Sequence, residues 1–200
     1  MLEKIMKFKD QGFIRKDHPQ FGVLLPLIEK DGEWQVLFEK RSAHILRQPG
    51  EICFPGGERE IEDADLRATA LRECCEELGI TADKIEVLAP LDYFVNHRHL
   101  YIMAYLGIIH PTAFEIDRRE VEEIFTVPLQ FLLNYEPQTT YFSFQVEMPE
   151  DYPYELIPGG KEYPFAHPRY PQYFYCWENH VIWGLTASIL SQFLQAFKEK

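Results

Sequence analysis

Residues 54–80 read "FPGGEREIEDADLRATALRECCEELGI", a glycine pair followed by an acidic run and then by helix-forming residues. The apolar residues that recur every four positions in this run are Leu66, Ala70, Cys74 and Leu78. This period predicts a helix over roughly 64–78 with one buried face. Asp63 is the expected N-cap and Gly79 the expected C-terminal stop.

Three carboxylates lie beside this apolar stripe. Residues three and four apart share a helix face, so Glu73, Glu76 and Glu77 should project together. Their mutual repulsion favours a counter-charge, and clustered carboxylate oxygens are what Mg²⁺ or Mn²⁺ binds. Such a pattern on its own is more often a solvated helix face. The preceding glycines, which let a backbone carbonyl approach closely, and Arg72, which can orient a carboxylate, favour the metal site.

The composition describes an acidic globular chain of 200 residues, with 46% apolar residues and a formal net charge of −12. We expect one domain over 1–200, with an N-terminal extension over 1–20 and an aromatic-rich elaboration over about 136–179. The negative charge argues against a nucleic-acid partner. No apolar run reaches the roughly 20 residues that span a bilayer, so we expect no membrane partner and a cytoplasmic location.

The order of patterns predicts a layered α/β fold. Strands are expected at 21–30 and 34–40, and again in "KIEVLAPLDYF" and "LYIMAYLGII" after the helix. Pro128 should precede a short helix, and 136–179 should form strands and long loops. The segment from His180 onward reads as one largely buried helix. The four cysteines show no zinc or C-x-x-C spacing and are interpreted as core residues in a reducing compartment.

The run from Gly57 to Ile80 resembles the Nudix box, G-x5-E-x7-R-E-U-x-E-E-x-G-U, in which U is a bulky apolar residue. Arg72 to Ile80 match its second half if Cys74 counts as apolar. The first half departs, because the spacing from Gly57 to Arg72 is one residue longer and Asp63 stands where the pattern has glutamate. The resemblance implies a Nudix-type α/β/α sandwich with a central mixed sheet. The supporting role of that glutamate then falls to Asp63 or Glu62.

The preceding stretch "RSAHILRQPGEICFPGG" is similar to the signature of coenzyme A pyrophosphatases, approximately L-L-T-x-R-S-x3-R-x3-G-x3-F-P-G-G. Arg41, Gly50 and the Phe-Pro-Gly-Gly run fall in register. Glu39 stands in place of the threonine. Leu46 stands in place of the second arginine, and Arg47 follows one position later.

The resemblance implies a metal-dependent hydrolase that cleaves the diphosphate of coenzyme A into 4′-phosphopantetheine and adenosine 3′,5′-bisphosphate. It implies a metal site for Mg²⁺ or Mn²⁺ formed by Gly57, Glu73, Glu76 and Glu77. Arg72 would orient the carboxylates, and Glu76 and Glu120 are the other candidate catalytic residues. Arg41 and Arg47 are candidates for the substrate phosphates, with surface salt bridges as the alternative.

Several alternatives stay open at this stage. The substrate could be another nucleoside diphosphate derivative, such as ADP-ribose, NADH or an oxidised nucleotide, or the chain could be a non-catalytic binding module. The aromatic rings between Tyr141 and Trp177 could stack an adenine, although core packing is the commoner role. His97 and His99 are spaced unlike a zinc pair. A homodimer is compatible with the sequence.

Overall fold

The computed structural model describes residues 18–95 and 100–199, which form ten strands and three α-helices. The strands are β1 (Gln20–Lys30), β2 (Glu33–Arg41), β3 (Ile52–Cys53), β4 (Gly56–Glu58), β5 (Ile85–Val95), β6 (Tyr101–Ile109), β7 (Val121–Pro128), β8 (Gln138–Ser143), β9 (Arg169–Trp177) and β10 (His180–Ile182). The helices are α1 (Leu66–Leu78), α2 (Leu129–Asn134) and α3 (Gly184–Lys198).

Seven of these strands form one mixed sheet. Its main order is β3-β2-β1-β6-β5, with β4 also paired to β1 and β7 to β2. The central pair, β1 with β6, is parallel, whereas the other pairs are antiparallel. The remaining strands make a second, three-stranded sheet in the order β10-β9-β8. The expected mixed sheet is therefore confirmed.

Helices cover both faces of the large sheet. Adjacent side chains of β1 point to opposite faces, so Leu24 packs with α1 whereas Leu25 packs with α2 and α3. Because both faces are buried, the central strands are almost continuously apolar. The α/β/α sandwich is confirmed, and the apolar stripe of α1 is buried as expected. None of the described helices is long and apolar enough to cross a membrane.

One glycine sets how closely α1 approaches the sheet. A Cβ on Gly22 of β1 would lie 2.3 Å from the carbonyl oxygen of Leu66 and 2.8 Å from the nitrogen of Ala70. Those distances are far below van der Waals contact. Helix α1 therefore rests directly on the backbone of β1, next to the strand β4 that carries the glycine pair.

The start of α1 differs from the prediction. Asp65, not Asp63, is the N-cap, and its side chain accepts a hydrogen bond from the nitrogen of Ala68 at 2.8 Å. Asp63 is instead buried and accepts from the Glu60 nitrogen (3.0 Å), the Thr69 hydroxyl (2.9 Å) and Arg72. It fastens the acidic loop to the helix, as expected for the residue that replaces the family's first glutamate. Gly79 ends the helix with φ 63°, as predicted.

Two other expectations need correction. Residues 180–182 form strand β10 instead of helix, because they pair with β9, and α3 begins only at Gly184. Cys176 is exposed, so it is not a core residue, although all four cysteines are free as expected. Residues 1–17 of the expected N-terminal extension, as well as His97 and His99, lie outside the described residues. The assignment of 1–200 to a single domain stays a prediction.

Asp63→Asn should destabilise the fold by about 2 kcal/mol, since it leaves Arg72 without its principal counter-charge. Arg72 holds the pKa of Asp63 at about 2, below the ordinary value of 3.8. The ionised carboxylate therefore stabilises the fold fully above pH 4, and this contribution is lost as the pH falls towards 2. Urea unfolding at pH 7 and at pH 2.5 measures both effects, with the exposed neighbour Glu62→Gln as control. Equal midpoints for Asp63→Asn and wild type at pH 7 would contradict this role.

Candidate active site

A cleft of about 540 Å³ opens between the loop before β3, the glycine pair of β4 and helix α1. All eight residues that the sequence proposed for the site line it: Arg41, Arg47, Gly57, Arg72, Glu73, Glu76, Glu77 and Glu120. They come from β2, the loop that follows it, β4, α1 and the turn before β7. The fold therefore brings together residues up to 79 positions apart in the chain.

The glycine pair lies directly against the carboxylates of α1. The nitrogen of Gly56 donates a hydrogen bond to Glu77 Oε2 at 2.8 Å. A Cβ built on Gly57 would lie 2.2 Å from Glu73 Oε1, so any side chain here would displace that carboxylate. This contact holds a backbone turn and two carboxylates in one place, which is the arrangement that the spacing predicted.

Arg72 ties the loop and the helix together. Its guanidinium contacts Asp63 at 3.0 Å, Glu73 at 2.9 Å and Glu76 at 3.1 Å, and it donates to the carbonyl of Glu58 at 3.1 Å. Its side chain is only 23% exposed. The partly buried guanidinium of Arg72 thus fixes the positions of three carboxylates.

Burial disfavours the ionised form of three carboxylates beneath the cleft. Desolvation by burial raises the pKa of Glu73 and raises that of Glu77 well above its ordinary range. Glu39 of β2 lies below the same site, and burial raises its pKa to about 7. The Cys53 thiol donates to one oxygen of Glu39 at 3.1 Å, whereas the other oxygen, Oε2, is buried and has no hydrogen-bond partner among the described residues. The sequence marked Glu39 only as a departure from a motif and gave no sign of this burial.

The donor set fits a hard divalent cation. It combines carboxylate oxygens with a backbone that approaches closely at glycine, and a cation would favour the ionised form of Glu77 that burial disfavours. In the part of the chain that the structure describes, no three acidic, histidine or cysteine side chains converge as a ready-made cage. Arg72 and the Gly56 nitrogen hold the glutamates of α1 instead.

The two proposed phosphate-binding arginines lie at one end of the cleft. Arg41 is partly buried and donates to the carbonyl of Arg47 at 3.4 Å. Arg47 lines the cleft with 79% of its side chain exposed, and its ion pair with Glu58 is long, at 3.9 Å. Leu46, which occupies the motif's arginine position, is fully exposed and is not among the lining residues. The arginine one position later thus takes the place next to the cleft.

Glu120 lines the cleft from the turn before β7. Its carbonyl accepts a hydrogen bond from the Ser42 nitrogen at 2.7 Å. This bond joins the turn to the end of β2, next to Arg41. The exposed carboxylate of Glu120 therefore lines the same cleft as the glutamates of α1.

One wall of the cleft was not identified from the sequence. It is made by residues at the start of α3: Trp183, Leu185, Thr186 and Ile189. The Thr186 hydroxyl donates to the carbonyl of Ile52 at 3.2 Å, which fastens α3 to β3. The stretch "WGLTASIL" carries these residues, but its apolar pattern indicated only a buried helix.

Comparison with known proteins agrees with this geometry. The family model of the NUDIX domain matches residues 18–144. The peroxisomal coenzyme A diphosphatase NUDT7 of Mus musculus is 38% identical over 123 residues, which cover 61% of this chain and 51% of the mouse protein. The Nudix hydrolase NudL of Photorhabdus laumondii is 32% identical over 175 residues, covering 87% of this chain and 82% of that protein.

A solved structure supports the fold alone. The MutT/nudix family protein of Enterococcus faecalis superimposes with a TM-score of 0.51 at 14% identity, covering 100% of this chain and 68% of that chain. The family match, the relative of similar length and the complete glutamate face of α1 point to the same assignment. This chain belongs to the Nudix hydrolase family.

Proposed function

We propose that this protein hydrolyses the diphosphate bond of coenzyme A or its derivatives, giving 4′-phosphopantetheine and adenosine 3′,5′-bisphosphate. The observation that carries the proposal is the position of the loop after Arg41. This loop resembles the coenzyme A pyrophosphatase signature, and it borders the same cleft as the glutamates of α1. The similarity to a coenzyme A diphosphatase supports the same substrate, although the match spans about half of that protein.

The chemistry requires that negative charge on the diphosphate be offset while water attacks phosphorus. Nudix hydrolases generally use a divalent ion such as Mg²⁺ or Mn²⁺, which when bound supplies positive charge against the phosphate oxygens. Glu73, Glu77 and the carbonyl of Gly57 would hold that ion, with Glu76 as a further ligand. Arg72 keeps these carboxylates in place through the contacts described above.

The other proposed site residues bind the substrate or act as the general base. Arg41 and Arg47 bind the phosphates of the substrate by charge-assisted hydrogen bonds. Glu120 takes the proton of the attacking water, since its exposed carboxylate lines the cleft. Water adds across the bridging P–O–P bond, so that each product leaves with one terminal phosphate from the diphosphate. The cytoplasmic location stays a prediction.

A second candidate is hydrolysis of another nucleoside diphosphate derivative, such as ADP-ribose or NADH. Two residues differ from the coenzyme A pyrophosphatase signature, and this difference favours the second candidate. Glu39 is buried below the site, and Leu46 points away from it.

Product analysis separates these functions. Incubation of the protein with coenzyme A and either Mg²⁺ or Mn²⁺ should yield 4′-phosphopantetheine and adenosine 3′,5′-bisphosphate, identified by mass spectrometry. Intact coenzyme A together with cleaved ADP-ribose or NADH would establish the second candidate. If the protein cleaved none of the three compounds, the result would indicate a binding module.

Glu77→Gln should lower kcat about 100-fold or more and weaken Mn²⁺ binding, because it removes a charged ligand. The amide oxygen still accepts from the Gly56 nitrogen, so the fold should be retained. Turnover and isothermal titration with Mn²⁺ measure the two effects. Glu29→Gln, which changes an exposed glutamate at the hairpin end of β1, is the control. Parent-level turnover and unchanged Mn²⁺ affinity in Glu77→Gln would show that this carboxylate holds no metal.

Arg47→Ala should raise KM for coenzyme A about tenfold, since it removes a charge-assisted hydrogen bond to phosphate. Thermal stability should change little, because the side chain is exposed and its one ion pair is long. Leu46→Ala, the adjacent exposed residue, should leave KM unchanged. If the two variants gave the same KM as wild type, Arg47 would be a surface residue without a role in binding.

A further inference from the structure

A second cleft, of about 810 Å³, adjoins the first. The two share Glu51, Ile52 and Trp183, so a ligand that fills one can continue into the other. The residues that line only the second cleft are Lys40, Pro49, Gly50, Glu123, Phe174, Asn179, His180 and Val181. None of the roles proposed above uses this space.

The hairpin of β9 and β10 forms one wall of this second cleft. Ile182 pairs with Tyr175, and both side chains are buried in the core, at 0% and 3% exposure. Trp183 directly follows β10, and its ring lies beside that of Phe174, the residue before Tyr175 in β9. Because side chains alternate between faces, this pair points away from the core. The hairpin thus has a core face and an outer face that carries two aromatic rings.

The two rings are stacked with parallel planes. Their planes are parallel within 2°, and their centroids are 6.5 Å apart. Trp183 is 41% exposed, and neither ring belongs to the apolar core clusters of the described residues. Large aromatic rings that do not contribute to the core, and that line a cleft beside polar groups, are typical of sites that bind planar ligands.

The position of Trp183 is fixed from two sides. Pairing of β10 with β9 holds the residue before it, Ile182, and α3, which begins at the residue after it, is joined to β3 by the Thr186 hydrogen bond. Ile52 of β3 lines both clefts, so this anchor joins the aromatic pair to the site of the glutamates. The rings are therefore held at a set position relative to the proposed diphosphate site.

We propose that the purine ring of the substrate binds against Phe174 and Trp183 while its diphosphate lies in the first cleft. This inference rests on the proposed function, in that it assumes a nucleoside diphosphate substrate. A purine gains from stacking on aromatic rings because it offers a planar π-face. The pantetheine arm of coenzyme A is a flexible chain without a ring, and it gains nothing comparable from such a pair.

Titration with adenosine 3′,5′-bisphosphate tests this site without catalysis. Trp183→Leu and Phe174→Leu should each raise Kd about tenfold, whereas Trp183→Phe, which keeps a ring, should stay within about threefold of wild type. Phe142→Leu is the matched control, since it removes an exposed aromatic ring of β8 that lines neither cleft. In the same Leu variants, KM for coenzyme A should rise while kcat changes little.

A fluorescence measurement tests the purine site even if the Leu variants misfold. Adenosine 3′,5′-bisphosphate should quench part of the tryptophan emission of the wild type, and Trp183→Phe should abolish that quenching. Unchanged Kd in both Leu variants, quenching that survives in Trp183→Phe, or a wild type that does not bind the bisphosphate would each overturn the proposal. So would weaker binding of 4′-phosphopantetheine, and not of the bisphosphate, in the Leu variants.

The two proposals can fail separately. If wild type cleaves coenzyme A but the Leu variants keep its KM, the purine site is wrong and the proposed function stands. If wild type leaves coenzyme A intact, the proposed function fails. The bisphosphate titration then still decides whether the aromatic pair binds a purine.

Discussion

The site depends on the contact between the Gly56–Gly57 turn and helix α1. Glu77 accepts a hydrogen bond from the Gly56 nitrogen, and Glu73 lies so close to Gly57 that a Cβ would overlap its carboxylate. This contact requires that the helix rest directly on β1, which Gly22 permits. Any larger side chain at these glycines would separate the backbone turn from the carboxylates. The geometry of the sheet and the chemistry of the cleft are therefore set by the same close packing.

The burial of Glu73 and Glu77 explains why this contact needs a neighbouring positive charge. Burial raises the pKa of Glu73 and Glu77, which means that the folded protein keeps these carboxylates ionised only at a cost. Arg72 offsets part of that cost, and Asp63 in turn fixes Arg72 between the loop and the helix. A divalent cation would offset more of it. Such a cation would place positive charge locally in the cleft, where a chain with a net charge of −12 would need it to bind an anionic diphosphate.

Much of this arrangement follows from local sequence, and the rest does not. Apolar spacing gave the buried face of α1, and Gly79 marked its end. The N-cap was placed two residues early, because Asp63 and Asp65 are equally good caps and only burial distinguishes them. The apolar pattern from His180 onward predicts helix, but residues 180–182 form strand β10. Their pairing with β9 is a tertiary contact that an apolar pattern does not show. The burial of Glu39 and the meeting of Phe174 with Trp183 depend on strand register in the same way.

The central claim is that the glycine turn and α1 together bind a divalent cation. A crystal grown with saturating Mn²⁺ and measured at the manganese absorption edge tests it most directly. We expect an anomalous peak in the first cleft, at about 2.0–2.3 Å from carboxylate oxygens of Glu73 and Glu77 and from the carbonyl oxygen of Gly57. Manganese bound only elsewhere on the protein, with no peak between the turn and the helix, would contradict it.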